Sequence, residues 1–156
     1  MAPLILFDTN IFIDMLGGCK QATTELSSYD FPAISAVTYM ELLAGAIVRQ
    51  DEKPILDVLL AEFQVILIDK LVMERAIEIR GTSLVTGPKI KLPDAIIGAT
   101  AAIYRMPIVT RNPKDFQWEG IDVHVPYDYD STTGAVTNVR PTFTAFRPRP
   151  TLTRIR

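Results

Sequence analysis

The chain is expected to fold as an α/β protein, a three-layer α/β/α sandwich around a central parallel sheet. Three observations lead there. Short apolar runs at residues 4–7, 31–34, 65–68, 107–110 and 121–125 recur along the chain. Such runs are too short for helices and suit strands buried on both faces. Longer segments with helical character separate the first four runs, and strands alternating with helices imply right-handed crossovers and a parallel sheet. At 156 residues and 48% hydrophobic content, the chain is large and apolar enough for one well-formed core.

The first run ends abruptly in Asp8-Thr9-Asn10. Polar side chains directly after a buried strand sit at its carboxyl end, where open α/β sheets place their ligands. Asn10 can cap a helix over residues 11–16, and Gly17-Gly18 stops it. A carboxylate at the position of Asp8 is costly if unpaired, so it requires a cation, a metal or several hydrogen-bond donors. Residues 21–29 form a second, weakly patterned helix. After the strand at 31–34, Ser35 caps a helix over 36–48, with Val37, Met40, Leu43 and Ile47 on its apolar side and Glu41 in its first half. Asp51 opens a helix that reaches Phe63, with Pro54 tolerated in its first turn. The apolar residues of 56–63 either face the helix's own sheet or form an association surface. Asp69 follows the strand at 65–68 and caps a helix over 71–80. Gly87-Pro88 and two lysines mark residues 82–92 as a loop.

The helix over 92–103 opens with Pro93 and carries Asp94 in its first turn. Its remainder is small and apolar, which implies a central, closely packed position. Asp94 could simply complement the helix dipole. The strand at 107–110 ends in a second polar cluster, Thr110-Arg111-Asn112-Pro113-Lys114-Asp115. In a doubly wound sheet this cluster and Asp8 share an edge near the point where strand order reverses, and Glu41 and Asp94 can project to the same edge. Four carboxylates gathered there repel one another unless divalent cations neutralise them.

Composition removes several alternatives. The single Cys19 excludes an internal disulfide and any multi-cysteine zinc site, and reads as apolar filler. The single His124 lies in an alternating strand pattern and reads as a strand-face residue, so histidine-based acid–base schemes lose their candidate. Oxygen-only ligands favour Mg²⁺ or Mn²⁺ over Zn²⁺, and carboxylate-bound Mg²⁺ suits attack of an activated water on a phosphodiester. No apolar run is long enough to span a bilayer and no signal-like N-terminus is visible, so a cytoplasmic location without membrane contact is expected.

Asp8-Thr9-Asn10, Tyr39-Met40-Glu41-Leu42-Leu43-Ala44-Gly45, Leu92-Pro93-Asp94-Ala95 and Val109-Thr110-Arg111-Asn112-Pro113-Lys114-Asp115-Phe116 together resemble the ordered motifs of PIN-domain nucleases, most closely the VapC-type toxins of toxin–antitoxin pairs. The resemblance spans roughly residues 3–125. It implies the sandwich fold, Mg²⁺-dependent cleavage of RNA with Mn²⁺ as a possible substitute, a homodimer, and a cognate antitoxin partner. Carried over by position, it implies Asp8 and Asp94 as metal ligands, with Glu41 and Asp115 completing the acidic cluster. Thr9 and Asn10 would support Asp8, and Thr110 and Asn112 would shape the site. The alternative within the same fold is a module that binds RNA or protein without cleavage. A phosphatase of the haloacid-dehalogenase type would need a second acid where Asn10 stands.

The nuclease-like domain is expected over residues 1–127 and a basic, Pro- and Arg-containing extension over 128–156. From Ser131 onward there are five arginines, Arg140, Arg147, Arg149, Arg154 and Arg156, and no acid; with a total of −2, the preceding residues carry −7. Prolines disfavour a helix there, and the extension reads as an irregular arm that docks on protein or lies along RNA. Arg111, Lys114, Arg140, Arg147 and Arg149 are accordingly candidate contacts to RNA or a partner.

Overall fold

The computed structural model describes residues 4–143. β1 (Ile5–Phe7), β2 (Pro32–Ser35), β3 (Gln64–Ile66), β4 (Ile108–Val109) and β5 (Val123–His124) build one sheet in the order β3-β2-β1-β4-β5, every pair parallel. β1 is central, with Leu6 in register with Ala33 on one side and Ile108 on the other. The order reverses between β1 and β4, which sets the carboxyl ends of those two strands side by side.

Strand alternation divides the core. Ile5 and Phe7, with Ile34 and Val109, pack against α1 (Thr9–Leu16), α2 (Lys20–Leu26), α4 (Glu52–Leu60) and the second half of α3 (Ala36–Val48). Leu6, Ala33 and Ile108 turn to the opposite face and meet Val37, Phe116 and the small-residue side of α6 (Leu92–Tyr104). α5 (Lys70–Thr86) lies behind α6, joined through Val72, Ala76, Ile79, Ala95 and Ala99. The expected α/β/α sandwich is therefore present.

Local expectations differ in four places. Asp8, not Asn10, caps α1: its backbone is extended and its carboxylate accepts the Thr9 N–H at 2.8 Å, so the helix starts two residues earlier. α5 continues to Thr86 because nothing stops it before Gly87, which takes a positive φ of 43° at the C-cap. Leu56, Leu60 and Phe63 are buried in the chain's own core, so they are not an association surface. The extension is not wholly irregular. β6 (Asp128–Asp130) and β7 (Ala135–Thr137) form an antiparallel hairpin, and Tyr129, Val136 and Phe143 pack on the main core. Residues 144–156, with Arg147, Arg149, Arg154 and Arg156, lie outside the described residues.

A 3-10 turn, Pro113–Phe116, follows β4 and is anchored by the buried Phe116. Gly98 of α6 makes room for it: a Cβ there would stand 3.4 Å from the Phe116 ring and 3.6 Å from Ile121. Phe116→Ala is expected to cost roughly 3–5 kcal/mol in urea denaturation, and Phe116→Leu less than about 1.5 kcal/mol.

Candidate active site

The adjacent ends of β1 and β4 build the centre of the site. The Asp8 N–H donates to the Val109 carbonyl at 2.9 Å, continuing the ladder one residue past the strand. This leaves the Asp8 side chain at the sheet edge, 6% exposed. Its two oxygens are held separately: Oδ1 accepts from the Thr9 N–H, and Oδ2 accepts from the Thr110 hydroxyl at 2.8 Å. Thr110 is itself fixed, because its Oγ1 also accepts from the Asn112 N–H at 2.9 Å and the Asn10 side-chain amide at 3.2 Å. Asn10, freed from capping, thus ties α1 to the loop after β4, and its Oδ1 accepts from the Arg111 N–H.

The other three acids surround this centre. Glu41 is exposed on α3, and its Oε1 accepts from the Thr9 hydroxyl at 3.0 Å; Thr9 also exchanges a hydrogen bond with the buried Thr38. Asp115 is half-buried in the 3-10 turn, with Oδ2 accepting from the Asn112 amide at 2.6 Å. Asp94 is half-buried in the first turn of α6 and has no hydrogen-bond donor among the described residues. Burial, then the nearby charges of Asp115 and Glu41, pushes its carboxyl up, against a smaller opposing effect of Lys91. Burial likewise raises Asp8 from 3.8 to about 6; the Thr110 hydrogen bond opposes this, and the charges of Asp94 and Glu41 add to it. Of the four acids expected to meet, Asp94 is thus within electrostatic reach of the other three, and Asp8 of Asp94 and Glu41.

Among the described residues, no three His, Cys, Asp or Glu side chains stand close enough to enclose an ion as they are. A widely spaced, oxygen-only set with unneutralised carboxylates nevertheless fits a hard divalent cation that keeps several waters, because waters then fill the gaps between ligands. It does not fit a cation that demands a closed shell of nitrogen or sulfur ligands.

One group in the site's support escaped the sequence. Asp14, the lone acid on an apolar helix, is 4% exposed. It accepts a forked pair of hydrogen bonds from the Arg111 guanidinium, Nη2 at 2.7 Å, and another from the Tyr127 hydroxyl at 2.8 Å. Arg111 also lies over the Tyr129 ring at 5.5 Å. Its cation is therefore committed to the fold rather than presented to RNA. An acid in an otherwise apolar helix followed by an arginine in a distant motif was the available signal, but nothing in sequence links the two. Arg140 reaches back to the Val125 carbonyl at 3.2 Å and Asp128 at 3.5 Å. Lys114 is exposed beside Asp115, whereas His124 faces Glu25 across 3.9 Å and meets the Phe143 ring at a tilt, centroids 5.6 Å apart.

The raised Asp8 carboxyl has a consequence for stability. Its folded value lies above the unfolded one, so the folded protein holds the extra proton between about pH 4 and 6. The contribution to stability is complete below that window and is lost as pH rises through about 6. Metal-free Asp8→Asn is accordingly expected to be more stable than the parent at pH 7, by about 1–3 kcal/mol, with the difference closing toward pH 4. Denaturation curves in EDTA at several pH values measure this, and equal stability at pH 7 would rule it out.

The PIN domain model matches residues 5–117. A toxin–antitoxin complex from Klebsiella pneumoniae contains a chain 38% identical to this one, with a TM-score of 0.67, over 80% of this chain and 98% of that chain. The FitAcB structure from Neisseria gonorrhoeae is 25% identical with a TM-score of 0.67, covering 78% of this chain and 97% of that one. VapBC2 from Rickettsia felis, bound to a DNA fragment from its promoter, shares the fold at 20% identity and a TM-score of 0.69, covering 78% and 97%. Curated protein sequences yield no significant match. The family is one of nucleases that generally depend on divalent metals. With the match covering β1 to β4 and the turn that bears Asp115, this chain belongs to the PIN-domain family.

Proposed function

We propose that the protein is a Mg²⁺-dependent endoribonuclease, with Mn²⁺ as an alternative ion, and the toxin of a cytoplasmic toxin–antitoxin pair. The observation that carries the reading is Asp8: a carboxylate at the sheet's switch point, oriented by Thr9 and Thr110, raised first by its burial and further by the charges of Asp94 and Glu41, which no cation pairs among the described residues. A non-catalytic fold has no need to maintain that repulsion.

In this reading Asp8 and Asp94 hold the cation, with Glu41 and Asp115 completing its surroundings. When bound, the ion supplies a water activated as nucleophile and offsets charge on the phosphodiester. The chain's own residues do the rest. Thr110 holds one oxygen of Asp8 and leaves its deprotonated form available at neutral pH. Thr9 sets Glu41 at the rim, where the carboxylate can orient a water or accept its proton. Asn112 restrains Asp115 against the opposite wall.

The antitoxin partner follows the toxin–antitoxin complex from Klebsiella pneumoniae that the chain resembles. A symmetric homodimer is also proposed. Its contacts would fall to apolar residues outside the chain's own core, such as Ile47, Val48, Ile55 and Val58 on α3 and α4, all at least half exposed. The extension beyond residue 127 is an appendage to the nuclease domain in this reading, with Arg140 stapling its hairpin.

RNA cleavage followed with Mg²⁺, with Mn²⁺ and with EDTA tests the reaction. Chelation should abolish it. Asp8→Asn and Asp94→Asn should each lower the rate by roughly a hundredfold or more, and Thr110→Val by about 10–100-fold through misplacement of Asp8. Glu41→Gln should reduce kcat more than it raises KM. Full activity in Asp8→Asn or Asp94→Asn would reject the assignment.

A further inference from the structure

The chain also gathers lysines at the site. A cavity of about 360 Å³ opens between the loop before α6 and the 3-10 turn after β4, lined by Lys89, Lys91 and Lys114 together with Asp94, Asn112 and Asp115. None of the three lysines forms an ion pair among the described residues, although two carboxylates line the same hollow. Cations whose task was to neutralise those acids would be paired with them.

Two of the lysines are carried by pinned backbone. Ile90, which separates them, is 6% exposed and packs in the α5–α6 core. Its N–H donates to Ser83 Oγ at 3.0 Å, and its carbonyl accepts from Arg80 Nη1 at 2.9 Å. With Ile90 held inward from both sides, Lys89 and Lys91 are left exposed. Lys91 is also the N-cap residue of α6, directly before the turn that carries Asp94. Lys114 stands on the other wall, exposed, in the turn anchored by Phe116. The three cations are thus held by rigid elements around a hollow that continues from the acids.

We propose that this cavity is a phosphate subsite for single-stranded RNA, in which Lys89, Lys91 and Lys114 take the backbone phosphate next to the one cleaved at the acidic site. The proposal rests on the ribonuclease reading above. Substrate phosphates are repelled by the four carboxylates, and flanking ammonium groups offset that repulsion without occupying the acids. A hollow between two walls admits a strand that can bend into it rather than the continuous face of a duplex.

The test measures binding and cleavage separately. Anisotropy of a short fluorescein-labelled single-stranded RNA, titrated in EDTA over a range of salt, compares the parent with Lys89→Gln, Lys91→Gln, Lys114→Gln and the triple variant. Lys70→Gln, at the far end of α5 and about 25 Å away along that helix, serves as control. The triple variant should bind on the order of tenfold more weakly, and the slope of log K against log salt should flatten by about 0.7 per lysine. The control and all melting temperatures should stay unchanged. In the cleavage assay KM should rise with kcat nearly constant. Parental affinity and salt slope in the triple variant, or absence of RNA binding by the parent itself, would overturn the subsite. A parent that cleaves RNA while the triple variant keeps the parental KM rejects the subsite and leaves the nuclease reading standing. Lysine-dependent binding without any metal-stimulated cleavage upholds the phosphate contacts and rejects the nuclease.

Discussion

Burial of the Asp8 carboxylate at the end of the central strand is the constraint around which this molecule is arranged. A charge there loses most of its water, and among the described residues two hydrogen-bond donors, the Thr9 N–H and the Thr110 hydroxyl, replace it. Neither neutralises it, so the carboxyl remains raised to about 6. The compensation is incomplete by construction, and the deficit is the property a cation site needs. Thr110 reaches Asp8 because β1 and β4 are neighbours, which in turn requires the chain to finish β2 and β3 on one side before crossing to the other.

The same crossing explains how a few short polar side chains control a larger set. Thr9 orients Asp8 through its backbone and Glu41 through its hydroxyl. Asn10 and Asn112 both converge on Thr110, and Asn112 extends to Asp115. Side chains this short lose little rotamer freedom when ordered, so the acids are positioned at small entropic cost. Behind them, Asp14, Arg111 and Tyr127 form a buried ionic group that connects α1, the loop after β4 and the chain just after β5. Removing one partner of such a group leaves a charge unpaired in the interior. That dependence gives α1 and the β4 loop a common fate, and Tyr129 on the hairpin, under the Arg111 guanidinium, shares it.

On the opposite wall the arrangement is apolar. Gly98 lets Phe116 lie against α6, and Ile90 closes the preceding loop onto α5. Both contacts are buried, yet each sits next to a charged residue at the site: Phe116 beside Asp115, Ile90 beside Lys89 and Lys91. Packing thereby positions charge on both sides of the cavity. In this chain, like charges thus stand close together on backbone that apolar packing holds in place.

Much of this was legible in sequence because it is local. The short apolar runs, the Ser35 and Asp69 caps and the Pro93 helix start each depend on neighbours in the chain, and the four acids could be assigned to one edge once strands and helices were seen to alternate. The choice of Asp8 over Asn10 as the cap of α1 could not be read, since both are good capping residues and the β1–β4 ladder decides which backbone turns. The length of α5 was hidden because a glycine and a loop-like composition mask a helix supported by burial of Ile79 and Ser83 against its neighbours. The hairpin after Tyr127 depends on Tyr129 and Val136 finding the main core, and the pairing of Asp14 with Arg111 on a contact between residues far apart in the chain. Side-chain chemistry and short-range periodicity are enough to say which residues carry charge and where the five sheet strands and most of the helices lie. Which charges are spent on one another and which stay open at the site is settled by the fold, because it depends on distance and burial between segments that the chain order does not join.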